Sequence, residues 1–188
     1  MKKTLMTILV SGLMLASCSK QEVSDNPLLQ KWDTPFETAP FEKIKVEHYL
    51  PAFEAAIAEH NKEIQAIIDN AEAPTFDNTI AALDYSGETL SKVAGVFFNM
   101  MAANTSEELQ KVNEQVGPMM ATHSDNVSMN AKLFEKIKAV YDAKDSQKYT
   151  GEQLALLEKT YNKFVRSGAL LDAAKQEELR KVNAELTK

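Results

Sequence analysis

Apolar side chains return at helical spacing along most of this chain. From Val46 to Asn70 they fall at Phe53, Ile57, Ile64 and the Ile67–Ile68 pair, which predicts one long amphipathic helix. Pro51 stands near its start, where a missing N–H costs little, and Ala73-Pro74 lies just past its end. A second helix is expected from Asp77 to Ala103. Its seam of Ile80, Leu83, Gly87, Leu90, Ala94, Phe97 and Met101 has intervals of 3, 4, 3, 4, 3 and 4. That seam reads as bundle core rather than a coiled-coil dimer, with the small Gly87 and Ala94 letting a neighbouring backbone approach.

Cap signals divide the remainder. In Pro74-Thr75-Phe76-Asp77-Asn78-Thr79, Thr75 or Asp77 can cap the second helix and Phe76 can staple onto it. Thr105-Ser106-Glu107-Glu108 opens a third helix that runs to about Met129, and Gly117-Pro118 is expected to kink it. Asn130 caps a shorter helix through Tyr141, and Lys144 to Lys148 is a polar loop. Thr150-Gly151-Glu152-Gln153 is another capping box, and Gly168 is the left-handed stop of that helix. Asp172 begins a last helix whose apolar positions are Leu179, Val182 and Leu186.

The N-terminal flank behaves differently. Pro27, Pro35 and Pro40 favour an extended arm over residues 27–42. Leu28, Leu29, Trp32, Phe36 and Phe41 are too many large apolar groups for a free linker, so they are expected to anchor the arm along the outside of the bundle. The fold class is therefore all-α, a multi-helix bundle with an extended, proline-containing N-terminal arm. With 188 residues and 44% hydrophobic content, one domain with a sizeable core suffices.

Ahead of the arm, Lys2 and Lys3 precede an apolar run from Leu5 to Leu15, and Leu15-Ala16-Ser17 leads to the single cysteine, Cys18. A charged start, a short apolar stretch and small residues before the cut form a secretory signal, and the run is too short to span a bilayer comfortably. Leu-Ala-Ser-Cys resembles the lipobox of bacterial lipoproteins, which implies lipid attachment at Cys18. The expected organisation is a signal peptide over 1–17, a polar tether over 18–26 and a helical domain over 27–188. The chain is expected to be exported and held by its lipid in the bacterial cell envelope, facing the periplasm. A net charge of −6 and only two arginines, Arg166 and Arg180, exclude a phosphate-binding basic patch, and with it nucleic acid.

Chemistry-bearing residues are few. His60 and Glu63 lie three apart on one helix face, a spacing that can ligate metal, but zinc normally takes three or four protein ligands and no other His or Cys is near in sequence. A solvated pair is the expectation there. His48 belongs to the network at the start of its helix, and His123 falls on the inner seam of the third helix as a core or groove histidine. Met100-Met101 and Met119-Met120 are read as core filling rather than a plastic groove. No His-Glu-x-x-His, phosphate loop or Gly-x-Ser-x-Gly elbow occurs. No catalytic, cofactor-binding or metal-binding residue is assigned.

Several ordered segments nonetheless carry a resemblance: PFEKIKVEHYLPAFEAAIAEHNKEIQAI, APTFDNTIAALDYSGETLSKVAGVFFNM, LFEKIKAVYDA, TGEQLALLEKTYNKFVRSGALL and EELRKVNAEL. The most telling are Pro74 to Thr79 and Phe164-Val165-Arg166-Ser167-Gly168-Ala169. From about Asn26 onward the chain resembles the M3 family of zinc oligopeptidases, most of all its bacterial peptidyl-dipeptidase branch. The resemblance implies a helical N-terminal region that walls a channel for short peptides. It also implies zinc held by a His-Glu-x-x-His helix and a further Glu that this sequence does not contain, so the chain is expected to be inactive alone. The last helical pattern reaches Lys188 without a stop signal, from which a truncated chain is expected, able to self-associate through the face left exposed. The alternatives are a non-catalytic, lipid-anchored helical module that binds peptides or a protein, and a purely structural envelope bundle.

Overall fold

The computed structural model describes residues 25–187. The expected signal peptide, Cys18 and most of the expected tether lie outside them. Among the described residues all regular structure is helical. The helices are α1 (Tyr49–Asp69), the short α2 (Ala82–Tyr85), α3 (Glu88–Ala103), α4 (Glu107–Ser128), α5 (Ala131–Asp142), α6 (Gly151–Arg166) and α7 (Ala173–Glu185). Short 3₁₀ turns occur at Pro35–Glu37, Val46–His48 and Lys144–Ser146.

Helix α1 is the spine, packing along α3 and against α4 and α5. Its two halves serve different cores. Tyr49, Ala52, Phe53 and Ala56 join Leu90, Val93, Phe97, Leu109 and Val116 in one apolar cluster. Phe97 lies edge-on to both Tyr49 and Phe53, with ring centroids 5.1 and 5.4 Å away, the orientation that the ring quadrupole favours. Ile64 and Ile67 join Ile80, Leu133, Phe134, Ile137, Leu157 and Phe164 in the other. Between the halves, α1 carries His60 and Glu63.

The expected caps form. Thr75 Oγ1 accepts the Asn78 N–H and Asn78 Oδ1 accepts the Thr75 N–H, a reciprocal box at 3.1 and 2.8 Å. Thr150 and Gln153 repeat it, and Ser106, Asn130 and Asp172 cap α4, α5 and α7. Gly168 has φ +94°, and the Ala169 N–H reaches back to the Phe164 carbonyl, closing α6 as a Schellman motif. Helix α4 runs as one element through Pro118.

Three expectations are corrected. The second helix is not continuous: Thr75 opens a π turn at Phe76–Ala81, α2 follows, and the chain breaks at Ser86–Gly87 with Gly87 at φ +75°. Gly87 is therefore a left-handed hinge, not a small residue inside a seam. Within the arm, Leu28 is fully buried and Leu29 and Trp32 are partly buried, but Phe36 is 97% and Phe41 53% exposed, so those two anchor nothing. Asn26 is also part of the fold rather than the tether, because it is buried and its amide donates to the His48 carbonyl at 2.7 Å.

Helix α7 docks through polar groups beside Leu179, which lies over Gly168. Arg180 donates to Asn126 Oδ1 and the Asp125 carbonyl, and Asn183 to Asp125 Oδ1. The Gln176 amide reaches the Gly168 carbonyl. Val182 and Leu186 are 52% and 80% exposed.

Candidate functional site

Where the two apolar clusters meet, three parts of the chain contribute polar groups to one node. His60 and Glu63 come from α1, Ser86 and Gly87 from the elbow between α2 and α3, and His123 from α4. Ser86 Oγ donates to the Leu83 carbonyl at 2.8 Å. His60 Nε2 lies 3.1 Å from Ser86 Oγ, and His60 Nδ1 lies 2.9 Å from His123 Nε2. The imidazole centroids are 4.9 Å apart, edge to face. Glu63 Oε2 accepts the Gly87 N–H at 2.7 Å. His123 is buried, and its Nδ1 has no hydrogen-bond partner.

Counting hydrogens fixes the tautomers. A serine hydroxyl has one proton, and Ser86 gives it to Leu83, so Ser86 Oγ accepts from His60 Nε2–H. A neutral His60 then offers Nδ1 as an acceptor, which requires the proton of His123 to sit on Nε2. Burial holds both imidazoles below their ordinary value of 6.5, with Lys163 opposing a charge on His60 and His60 opposing one on His123. Glu63 works the other way on His60 without prevailing.

A serine, a histidine and an orienting group in a row is also the order of a nucleophilic relay. Here the row works as a brace. The Ser86 proton points to Leu83 rather than to His60, and the Gly87 N–H is taken by Glu63.

Beside the node opens a cleft of about 450 Å³. Leu83, Leu90, Met120 and Phe164 give it apolar walls, while Lys159 and Lys163, one turn apart on α6, bring positive charge. Met100, Met101, Met119 and Met120 all pack on the first cluster, as core filling predicts, and Met120 reaches the cleft as well.

The structure brings His60 and His123 together and leaves His48 apart, where its Nδ1 accepts the Lys45 N–H at 3.0 Å in the helix-start network. The expectation that His60 and Glu63 form a solvated pair is corrected: both reach across to the elbow. Ser86 and Gly87 were missed as site residues. Their signal was the Ser-Gly dipeptide inside an apolar periodic run, a turn marker overridden by the unbroken 3–4 spacing around it.

The donors do not suit zinc. At the contact the lone pair is that of His60 Nδ1 and it accepts from His123 Nε2, and among the described residues no three His, Cys, Asp or Glu side chains are placed to hold a metal ion.

The family model of the neurolysin/thimet oligopeptidase N-terminal domain matches residues 53–176. The dipeptidyl carboxypeptidase of Salmonella typhimurium is 37% identical over 163 residues, which is 87% of this chain and 24% of that protein. The dipeptidyl carboxypeptidase of Escherichia coli is 37% identical over 160 residues, 85% of this chain and 24% of its own. Oligopeptidase A of Escherichia coli is 27% identical over 155 residues, covering 81% and 22% respectively. This chain thus spans about a quarter of the length of the relatives it matches.

Proposed function

Because the chain belongs to the neurolysin/thimet oligopeptidase family, we propose that it is the N-terminal helical wall of an exported M3-type zinc peptidase that releases dipeptides from the C-termini of short peptides. The observation that carries this reading is the 37% identity to dipeptidyl carboxypeptidases over most of the chain. In this reading the wall contributes shape and packing, and zinc and the reacting groups belong to the rest of a family-length enzyme. Alone, the chain does not cleave peptides.

The outward apolar face of α7 fits the same reading. A helix that docks by Arg180 and Asn183 and turns Val182 and Leu186 to solvent aims two apolar side chains away from its own bundle. The polypeptide that makes up the other three quarters of a family-length enzyme is the proposed cover.

Lipidation at Cys18 and a place in the bacterial cell envelope facing the periplasm complete the proposal. The test is zinc content and dipeptide release from short peptides by the purified chain, with membrane fractionation of the wild type and Cys18→Ser. No stoichiometric zinc, no cleavage and release of the Cys18→Ser variant from membranes are expected. Stoichiometric zinc with dipeptide release would overturn the assignment of this chain to the wall.

The cleft favours a second reading, a non-catalytic lipid-anchored module that binds peptides. Its apolar walls and two lysines suit the acidic or C-terminal carboxylate end of a short peptide. Peptide binding that is lost with Lys159→Ala and Lys163→Ala, in a chain that functions without any further polypeptide, would decide for it.

A further inference from the structure

We propose that the His60–His123 contact is a proton-operated latch between α1 and α4, closed while both imidazoles are neutral and opened by acid, with the Ser86–Gly87 elbow and the adjoining cleft as the parts set free. The latch does not depend on the peptidase reading.

The geometry leaves no comfortable place for an added proton. In the closed state hydrogens run one way, from His123 Nε2 to His60 Nδ1, from His60 Nε2 to Ser86 Oγ, and from Ser86 Oγ to the Leu83 carbonyl. The row ends at His123 Nδ1, a buried lone pair without a donor. A proton placed there becomes an N–H with no acceptor in a buried position. A proton placed on His60 Nδ1 must point at His123 Nε2, which then has to hand its own hydrogen to Nδ1, and the same orphan results. A second proton sets two N–H groups against each other across 2.9 Å. Each step disfavours the contact and none improves it.

The surrounding charges do not rescue the protonated pair. On α1, Glu63 favours a charge on His60, but its carboxylate is already bonded to Gly87. From α6, Lys163 opposes that charge, and Lys159 lines the same cleft. From the elbow side Asp84 lines the cleft too. On α4 the Asp125 carboxylate is bonded to Asn183 of α7, and the Arg180 guanidinium donates to the Asp125 carbonyl beside it.

Position makes this contact a latch rather than an ordinary buried pair. His60 sits between the two apolar clusters, and its ring is the surface on which Gly87 rests: a Cβ on Gly87 would meet the imidazole at 3.0 Å. Turning the His60 ring therefore removes the seat of the elbow. It also moves a wall of the cleft, which His60, Ser86 and Gly87 share.

The test is nitrogen-15 NMR of the imidazoles with hydrogen exchange mass spectrometry on the full chain, at about pH 7.5 and about pH 5.5, either side of an ordinary imidazole titration. Both rings are expected to carry Nε2–H at the higher pH and to titrate below 6.5. Exchange over residues 83–91 and 119–127, corrected for intrinsic rates, is expected to rise several-fold on acidification, because an imidazole that binds its proton more weakly in the closed state shifts the balance to the open one as it protonates. His123→Phe should abolish that rise. Titration of either ring at or above 6.5, an Nδ1–H tautomer, no acid-induced rise in exchange, or a rise that survives in His123→Phe would each overturn the latch. If that variant does not fold, the tautomers and titration of the wild type decide alone.

Discussion

Glu63 and Gly87, 24 residues apart, are joined by a 2.7 Å hydrogen bond from the Gly87 amide to the Glu63 carboxylate. The bond closes a two-point clamp, since His60, one turn before Glu63, holds Ser86. The left-handed backbone of Gly87 is what turns its N–H toward α1 while leaving room for the imidazole. Gly87→Ala is therefore expected to cost about 2 kcal/mol: about 1 for a left-handed alanine and a similar amount for displacing the His60 ring. Gly95 is the control. It lies inside α3 with nothing within 4 Å of its would-be Cβ. Gly95→Ala should stabilise by about 0.5–1 kcal/mol through helix propensity alone. Urea denaturation of both variants checks the pair. Equal effects would mean that the elbow does not seat on His60.

The stability of the fold should depend on pH in two separate windows. His60 and His123 have folded values below 6.5. A lowered histidine binds fewer protons folded than unfolded, so its contribution is complete above 6.5 and is lost as pH falls through the folded value. Glu108 and Glu152 are held below their ordinary value of 4.5, mainly by backbone N–H groups at helix starts. Their contribution is present above 4.5 and disappears only at lower pH. A denaturant midpoint that falls between about pH 6.5 and 5, before the carboxylates titrate, is the expected result. A midpoint flat over that range and falling only below about 4.5 would assign the acid sensitivity to the carboxylates alone.

What could be read in the sequence was what neighbours within five residues decide. Thr75 with Asn78, Thr150 with Gln153, and the Gly168 stop depend on local geometry, and all three form. The elbow was hidden because the hinge does not rotate the apolar face. Ile80 before it and Leu90 after it are both buried against α1-based clusters, so the 3–4 spacing continues across the break. His60 and His123 are 63 residues apart, and no local rule pairs them. Their neighbourhood is set by how α4 crosses α1, a matter of packing rather than propensity. For α7 the apolar residues were visible, but which face meets the bundle is decided by Asp125, a buried acid on another helix that needs Asn183.

The arm divides sharply into a docked part and a displayed part. Leu28 is fully buried against the first cluster, and Trp32 donates to the Pro27 carbonyl at 2.8 Å beneath the Lys92 ammonium. Lys92 in turn donates to the Gln30 carbonyl at 2.9 Å, tying the arm to α3. Leu28→Ala should cost about 2–5 kcal/mol, the range for a buried leucine. Phe36 has φ 59° and stands in solvent. Phe36→Gly relieves about 1 kcal/mol of left-handed strain and adds a comparable unfolded-state entropy, so it should fall within about 0.5 kcal/mol of wild type. Thermal melts of the two variants separate these outcomes. A loss above about 2 kcal/mol at Phe36 would mean that its ring is packed in solution.

The α7 surface leads to a prediction about association. Val182 and Leu186 are one turn apart on the solvent side, while the docking groups Arg180 and Asn183 lie on the other. Charges placed at 182 and 186 therefore meet water rather than the bundle, and should leave stability within about 0.5 kcal/mol of wild type. Left uncovered, the same side chains offer an apolar strip that a second copy or a hydrophobic dye can occupy. The purified chain is expected to bind such a dye and to self-associate as its concentration rises. Val182→Glu with Leu186→Glu should give a monomer with weak dye binding and an unchanged melting temperature. Light scattering coupled to size exclusion decides it. A wild type that stays monomeric and dye-negative at high concentration would remove the exposed strip as an interface. A double variant that still associates would place the contact elsewhere on the bundle.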